Sequence, residues 1–94
     1  MRRAARADAN HASVLRAAVD VGAEVIDTHA LPGALDALVA FRGRLWLVEI
    51  KMPRERASLT ELERATIDRL ARVGCAPLVV TTADELLRAI GAIR

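Results

Sequence analysis

The sequence predicts an α/β domain: a mixed central sheet flanked by helices, in a single domain spanning residues 1–94. Three observations predict it. Apolar residues recur at helical spacing in three stretches, near residues 3–21, 58–73 and 83–93. Three short strand-like runs follow one another between the first two helices. A fourth run is reached only through the second helix, which favours a parallel crossover back into the same sheet.

Each element has its own local reason. From about Arg3 to Val21, His11, Val14, Leu15, Ala18 and Val19 form one helical stripe, and Gly22 is a plausible stop. Arg2, Arg3, Arg6 and Arg16 read first as a solvated face. Glu24 to Thr28 reads as a short strand, and Pro32-Gly33 marks a turn in the loop that follows. Leu35 to Phe41 and Arg44 to Lys51 are two apolar runs separated by Arg42-Gly43, which reads as a two-residue β-hairpin. Residues 45–48 are all apolar, so this strand is expected to be buried on both faces. Pro53 stops it. Ser58 or Thr60 can cap the second helix, with Glu61 or Glu63 three residues on in capping-box register. Leu59, Leu62, Ile67, Leu70 and Val73 supply its apolar face, and Gly74 ends it. Residues 76–80 form a buried last strand. Thr81 or Thr82 caps a final helix, Ala83 to about Ile93, with Leu86, Leu87 and Ile90 inward.

Composition narrows the function. The chain is 94 residues, 53% hydrophobic and 28% charged, as in a folded globular domain. One Trp, one Phe and no Tyr leave almost no base-stacking aromatics, which argues against a single-strand-binding platform or an RNA-recognition sheet. A net charge of +2 with a pI near 9.5 permits a nucleic-acid face without establishing one. Cys75 is alone, so the expected setting is a reducing cytoplasm. With two separated histidines, it does not supply the four ligands of a structural zinc site. No signal-peptide pattern or membrane-length apolar run is present, so a soluble intracellular protein is expected. Cys75, with no basic neighbour in sequence, reads as structural.

The chemistry-bearing stretch is Glu49-Ile50-Lys51. Glu49 and Lys51 lie two apart on one strand face, and Lys51 is the only lysine among fourteen Lys and Arg residues. Arg supplies permanent charge; Lys is a compact point charge that can lose its proton. If Phe41 pairs with Arg44 across the turn, Asp36 falls opposite Glu49, with Cβ atoms about 4.5–5.5 Å apart. Two carboxylates at about 5 Å repel by about 3 kcal/mol at an effective dielectric of 20. A shared proton, Lys51 or a divalent cation must offset that. Hard cations such as Mg²⁺ take carboxylate oxygens together with water and phosphate, so a neighbouring Lys fits metal-assisted phosphodiester hydrolysis. A Glu49–Lys51 ion pair that merely closes a strand is the plainer alternative. Other charged positions carry plainer readings beside functional ones. Asp8 reads as a first-turn acid or a supporting acid, and His11 as a core-edge histidine or a support for the site. Glu63 is a cap or points toward the site. Arg54 and Arg56 contact phosphate or only water, and His29 is a loop residue on the side where substrate would sit.

At these residues the chain resembles the PD-(D/E)XK nuclease superfamily, whose core has the same αβββαβ order. More narrowly, it resembles the small stand-alone VRR-NUC proteins of phages and bacteria. Arg6-Ala7-Asp8-Ala9-Asn10-His11 is similar to the opening-helix motif, with His11 in place of Gln. Gly33-Ala34-Leu35-Asp36 is similar to Gly-x-Pro-Asp without its Pro, and Glu49-Ile50-Lys51 to the E-x-K motif. Leu59-Thr60-Glu61-Leu62-Glu63 resembles the Leu-Thr-x-x-Gln start of the next helix, with Glu63 for Gln. The resemblance implies a restriction-endonuclease-like αβββαβα core and a Mg²⁺- or Mn²⁺-dependent DNA endonuclease. Asp36, Glu49 and the Ile50 backbone carbonyl would be metal ligands, and Lys51 would orient or deprotonate the attacking water. Asp8, His11 and Glu63 would support the site, and Arg6, Arg54 and Arg56 would contact nucleic acid. It further implies in-line hydrolysis leaving 5′-phosphate ends, selectivity for branched DNA, and a homodimer. A catalytically degenerate DNA- or protein-binding module on the same fold is the rival, and Lys51 neutralised by Glu63 would favour it.

Overall fold

A computed structural model of the chain describes the backbone of residues 4–55 and 58–94 and the side chains of residues 10–54 and 58–94. The order is α1 (Ala4–Asp20), β1 (Glu24–Asp27), β2 (Ala37–Phe41), β3 (Arg44–Ile50), α2 (Glu61–Arg72), β4 (Leu78–Val80) and α3 (Ala83–Ala89). A turn of 3-10 helix, Pro53–Glu55, follows β3, as expected where Pro53 halts the strand. The four strands form one mixed sheet in the order β1-β2-β3-β4. The first three are antiparallel neighbours, and β4 joins β3 in parallel after the α2 crossover.

The hairpin fixes the register. Phe41 pairs with Arg44 and Ala37 with Val48, the alignment expected from a two-residue turn. Arg42 and Gly43 carry φ of 51° and 81°, the left-handed pair that a type I′ turn requires. β2 begins at Ala37 rather than Leu35, so Asp36 stands one step before the ladder and not within it. Other expected ends move inward too: β1 stops at Asp27, β4 starts at Leu78 and α3 ends at Ala89.

Odd positions of β2 and even positions of β3 and β4 turn toward α1 and α3. Ala37, Val39, Val48, Val80, Val14, Ala18 and Leu86 make this core, with Ile90 at its rim. Val14, Leu15 and Ala18 are the buried part of the α1 stripe. Val19 is 48% exposed instead, because Ala18 takes the inward position of that turn and Val19 lies about 100° round the helix. The opposite sheet face carries Leu38, Leu45, Leu47 and Glu49, and α2 covers it incompletely. Thr66 is the buried residue of α2, while Leu62 and Val73 are largely exposed. The expected two-sided burial of residues 45–48 therefore holds only at the far end: Val48 is buried, but Leu45 is 65% exposed. An open apolar groove between Leu45, Leu47, Leu70, Cys75 and Pro77 remains on this face, and Cys75 is exposed rather than structural. Among the described residues, no helix is long and apolar enough to cross a membrane.

Candidate functional site

The end of β3 and the start of α2 bring the expected residues together. Glu49 is the penultimate residue of β3, and Lys51 follows the strand. The Lys51 N–H donates to the Val80 carbonyl at 2.9 Å, so pairing with β4 holds the backbone just beyond β3. The period of two sends both side chains to the α2 face, and Lys51 Nζ lies 3.4 Å from Glu49 Oε2. Across the hairpin, Asp36 Oδ2 accepts the Ile50 N–H at 2.7 Å, which places that carboxylate against the same strand end.

Asp36 is delivered by a braced loop. The Thr28 N–H donates to the Asp36 carbonyl at 2.8 Å, and the Thr28 hydroxyl donates to the Leu35 carbonyl at 2.6 Å. The Thr66 hydroxyl of α2 donates to the carbonyl of Gly33, whose φ of 80° lets the loop reverse. Leu35, at 1% exposure, anchors the loop from within. On the other side, the Asn10 amide of α1 reaches the Lys51 carbonyl at 3.4 Å. Sequence reasoning did not single out Asn10, Thr28 or Thr66. Their roles depend on loops and helices that meet only in space.

α2 supplies the third carboxylate. Thr60 caps the helix with its hydroxyl accepting the Glu63 N–H at 3.1 Å, while Glu63 Oε1 accepts the Thr60 N–H at 3.0 Å. This completes the capping box. The same Glu63 oxygen accepts Lys51 Nζ at 2.9 Å. Glu63 is thus both cap and site residue, and it neutralises Lys51 more closely than Glu49 does.

The electrostatics follow from this crowding. Glu49 is 3% exposed, and its burial, then the nearby Asp36 and its hydrogen bond with Glu63, push its pKa up to about 8. Burial also raises Asp36, outweighing the Ile50 N–H that favours its charged form. Burial alone would lower Lys51, but the hydrogen bond and charge of Glu63 and then Glu49 hold it above its ordinary value. Desolvation alone would raise Glu63, but the Thr60 N–H, Lys51 and the hydrogen bond with Glu49 together hold it low. Lys51 thus lies between two carboxyl groups, Glu49 and Glu63, with Asp36 close enough to raise Glu49 further. Of the offsets expected for the Asp36–Glu49 repulsion, Lys51 stands in place, 3.4 Å from Glu49.

Beside this group is a second one. His11 of α1 lies with Nε2 3.1 Å from Asp27 Oδ2, and its Nδ1 faces Asp36 Oδ1 across 3.9 Å. His29 Nδ1 sits 2.6 Å from the other Asp27 oxygen, and the His29 N–H donates to that oxygen at 3.1 Å. The hydrogen bond from the His29 side chain, against a small opposing effect of burial, and then the His29 backbone and His11, bring Asp27 down to about 2. Asp27 was not among the residues singled out from the sequence. The spacing Asp27-x-His29 hinted at the local contact, but nothing local reveals that His11 joins them.

Arg54 is exposed on the 3-10 turn beyond Lys51. The side chains of Arg6 and Asp8, and the whole of Arg56, lie outside the described residues. No family model matches the chain, and no curated protein or solved structure matches it either.

Proposed function

We propose that the chain is a metal-dependent DNA endonuclease, a hydrolase of phosphodiester bonds, on the restriction-endonuclease-like fold of the PD-(D/E)XK superfamily and its VRR-NUC branch. One observation carries the reading: at the end of β3, Asp36 accepts the Ile50 N–H at 2.7 Å and Lys51 Nζ lies 3.4 Å from Glu49. The helix, three strands, helix, strand, helix order accords with it. Leu35 stands where the resembled Gly-x-Pro-Asp segment has Pro, and Thr28 holds its backbone by a hydrogen bond instead.

The residues suit a divalent cation of the Mg²⁺ or Mn²⁺ kind. The buried Glu49, the half-buried Asp36 and the Ile50 backbone between them offer the hard oxygen donors that such an ion takes. Asp36, Glu49 and the Ile50 carbonyl would hold the ion, which would polarise the scissile phosphate and acidify a bound water. Burial keeps these groups in a low-dielectric setting, where their charges act strongly. Lys51 is placed to orient the attacking water and to stabilise charge developing on the phosphate oxygens. Asn10 restrains the Lys51 backbone, and Glu63 restrains its ammonium. Arg54 offers a phosphate contact at the rim. Branched-DNA preference and homodimerisation belong to the same proposal.

The Lys51–Glu63 contact at 2.9 Å favours a second reading, a non-catalytic DNA- or protein-binding module on this fold. Cleavage assays separate the two. Supercoiled plasmid and a labelled four-way junction are incubated with Mg²⁺, Mn²⁺ or EDTA, with Lys51→Ala beside the wild type. The nuclease reading expects metal-dependent cutting, reduced at least about 10²-fold in Lys51→Ala with fold and DNA binding retained. No cutting of either DNA with either metal moves the conclusion to the binding module.

A further inference from the structure

We infer that His11, Asp27 and His29 form a separate cation site, suited to a borderline transition metal such as Zn²⁺ rather than to Mg²⁺. The inference does not depend on the nuclease reading. The chain contains only two histidines, one on α1 and one in the loop after β1. Both converge on one carboxylate, one ring against each oxygen, at 3.1 and 2.6 Å. One donor atom from each of the three residues lies within 4.8 Å of the others. The rings meet edge to face with centroids 5.3 Å apart, so neither stacks over the other to block its nitrogens.

Two imidazole nitrogens and one carboxylate oxygen are a recurrent donor set for zinc sites that keep an open fourth position. Imidazole also selects against Mg²⁺, which prefers oxygen and water. A tetrahedral ion at about 2.0–2.1 Å from each donor needs donors about 3.4 Å apart. The cluster must therefore open at the Asp27–His29 contact and draw in at its widest pair. The His29 and Asp27 side chains are 57% and 46% exposed, so they have room to make that adjustment and leave the fourth position to water.

The other nitrogen of His11 faces a carboxylate too, at a distance longer than a hydrogen bond. Metal-bound histidines commonly direct their second ring N–H at a carboxylate, which fixes the tautomer and strengthens the ligand. Here Nε2 is turned to Asp27 and Nδ1 to Asp36 Oδ1, 3.9 Å away. An ion at this position would tie α1 to the end of β1 and to the loop that delivers Asp36.

The test uses the full chain without an affinity tag, in excess Mg²⁺ so that hard-oxygen sites compete for that ion and not for zinc. Zn²⁺ is titrated calorimetrically, and the imidazole NMR signals are followed in parallel. The expected result is one equivalent bound, with the signals of both histidines shifting together at that equivalence point. His29→Ala and Asp27→Asn, checked for folding by circular dichroism, weaken the affinity at least about tenfold. Cys75→Ser leaves it unchanged. Absence of stoichiometric binding overturns the inference, as does a shift confined to one histidine. So does binding indifferent to His29→Ala, or lost only in Cys75→Ser.

Discussion

Glu49 concentrates the physics of the site in one side chain. Its carboxyl is buried beside Asp36 and Glu63, and in the folded chain it keeps its proton to about pH 8, against 4.5 for an ordinary glutamate. Between those values the unfolded chain has released a proton that the folded chain still holds, so stability falls as pH rises through that window and the loss is complete above about pH 8. Urea unfolding of the metal-free protein across the window is expected to show the midpoint declining, and Glu49→Gln is expected to flatten that component. A wild-type midpoint that rises over the same range would contradict the burial argument. Lys51 presents the converse case. Its neighbours favour the charged form, so it acts in this resting arrangement as a fixed cation and not as a base. Glu63→Gln keeps the side chain's shape while removing the charge that holds Lys51, and is expected to lower the Lys51 pKa, read from the side-chain NMR signal of the only lysine.

At the level of elements, two short sequence devices place the site. The first is the capping box of α2. Thr60→Ala removes the hydroxyl that accepts the Glu63 N–H, at an expected cost of about 0.5–2 kcal/mol. For a domain of this size that is a fall in Tm of roughly 4–8 °C per kcal/mol, measurable by calorimetry. The second is the hairpin turn, where Arg42 holds a φ of 51° that a side chain such as Arg adopts reluctantly. Arg42→Asn places a residue that tolerates the left-handed region there, and is expected to raise Tm slightly. A fall would show that the Arg42 guanidinium over the Phe41 ring, 4.8 Å from its centroid, matters more than the backbone.

For the whole molecule, the notable asymmetry is between the two sheet faces. α1 and α3 bury the centre of theirs around Val39, Val48 and Leu86, while α2 leaves Leu45, Leu62 and Val73 exposed. The carboxyl cluster lies on this less-covered side, where its surplus negative charge is a standing cost. A cation that binds the folded chain alone stabilises it by about 2.7 kcal/mol at a hundredfold excess over Kd. Mg²⁺ is accordingly expected to raise Tm by several degrees, and Asp36→Asn with Glu49→Gln to abolish the rise. A Tm indifferent to Mg²⁺ in the wild type would support the binding-module reading.

Much of this was legible along the chain, and the reason is local. Hydrophobic periodicity, the Arg42-Gly43 turn and the Thr60–Glu63 cap are each decided within a few residues, so element order and hairpin register could be read directly. The expected Asp36–Glu49 pair is not part of the ladder, which ends at Ala37 and Val48, and Asp36 reaches the end of β3 through the Ile50 N–H instead. The sequence by itself thus determined the elements, their order and the Asp36–Glu49–Lys51 grouping. Tertiary structure alone decided how the faces were covered, which is why Val19, Leu45 and Cys75 are exposed against expectation. It also decided that Glu63 serves Lys51 as well as its own helix, and that His11 meets Asp27 and His29. Those outcomes depend on where a helix packs and how a loop returns, and no periodicity along the chain encodes the meeting of side chains from separate elements.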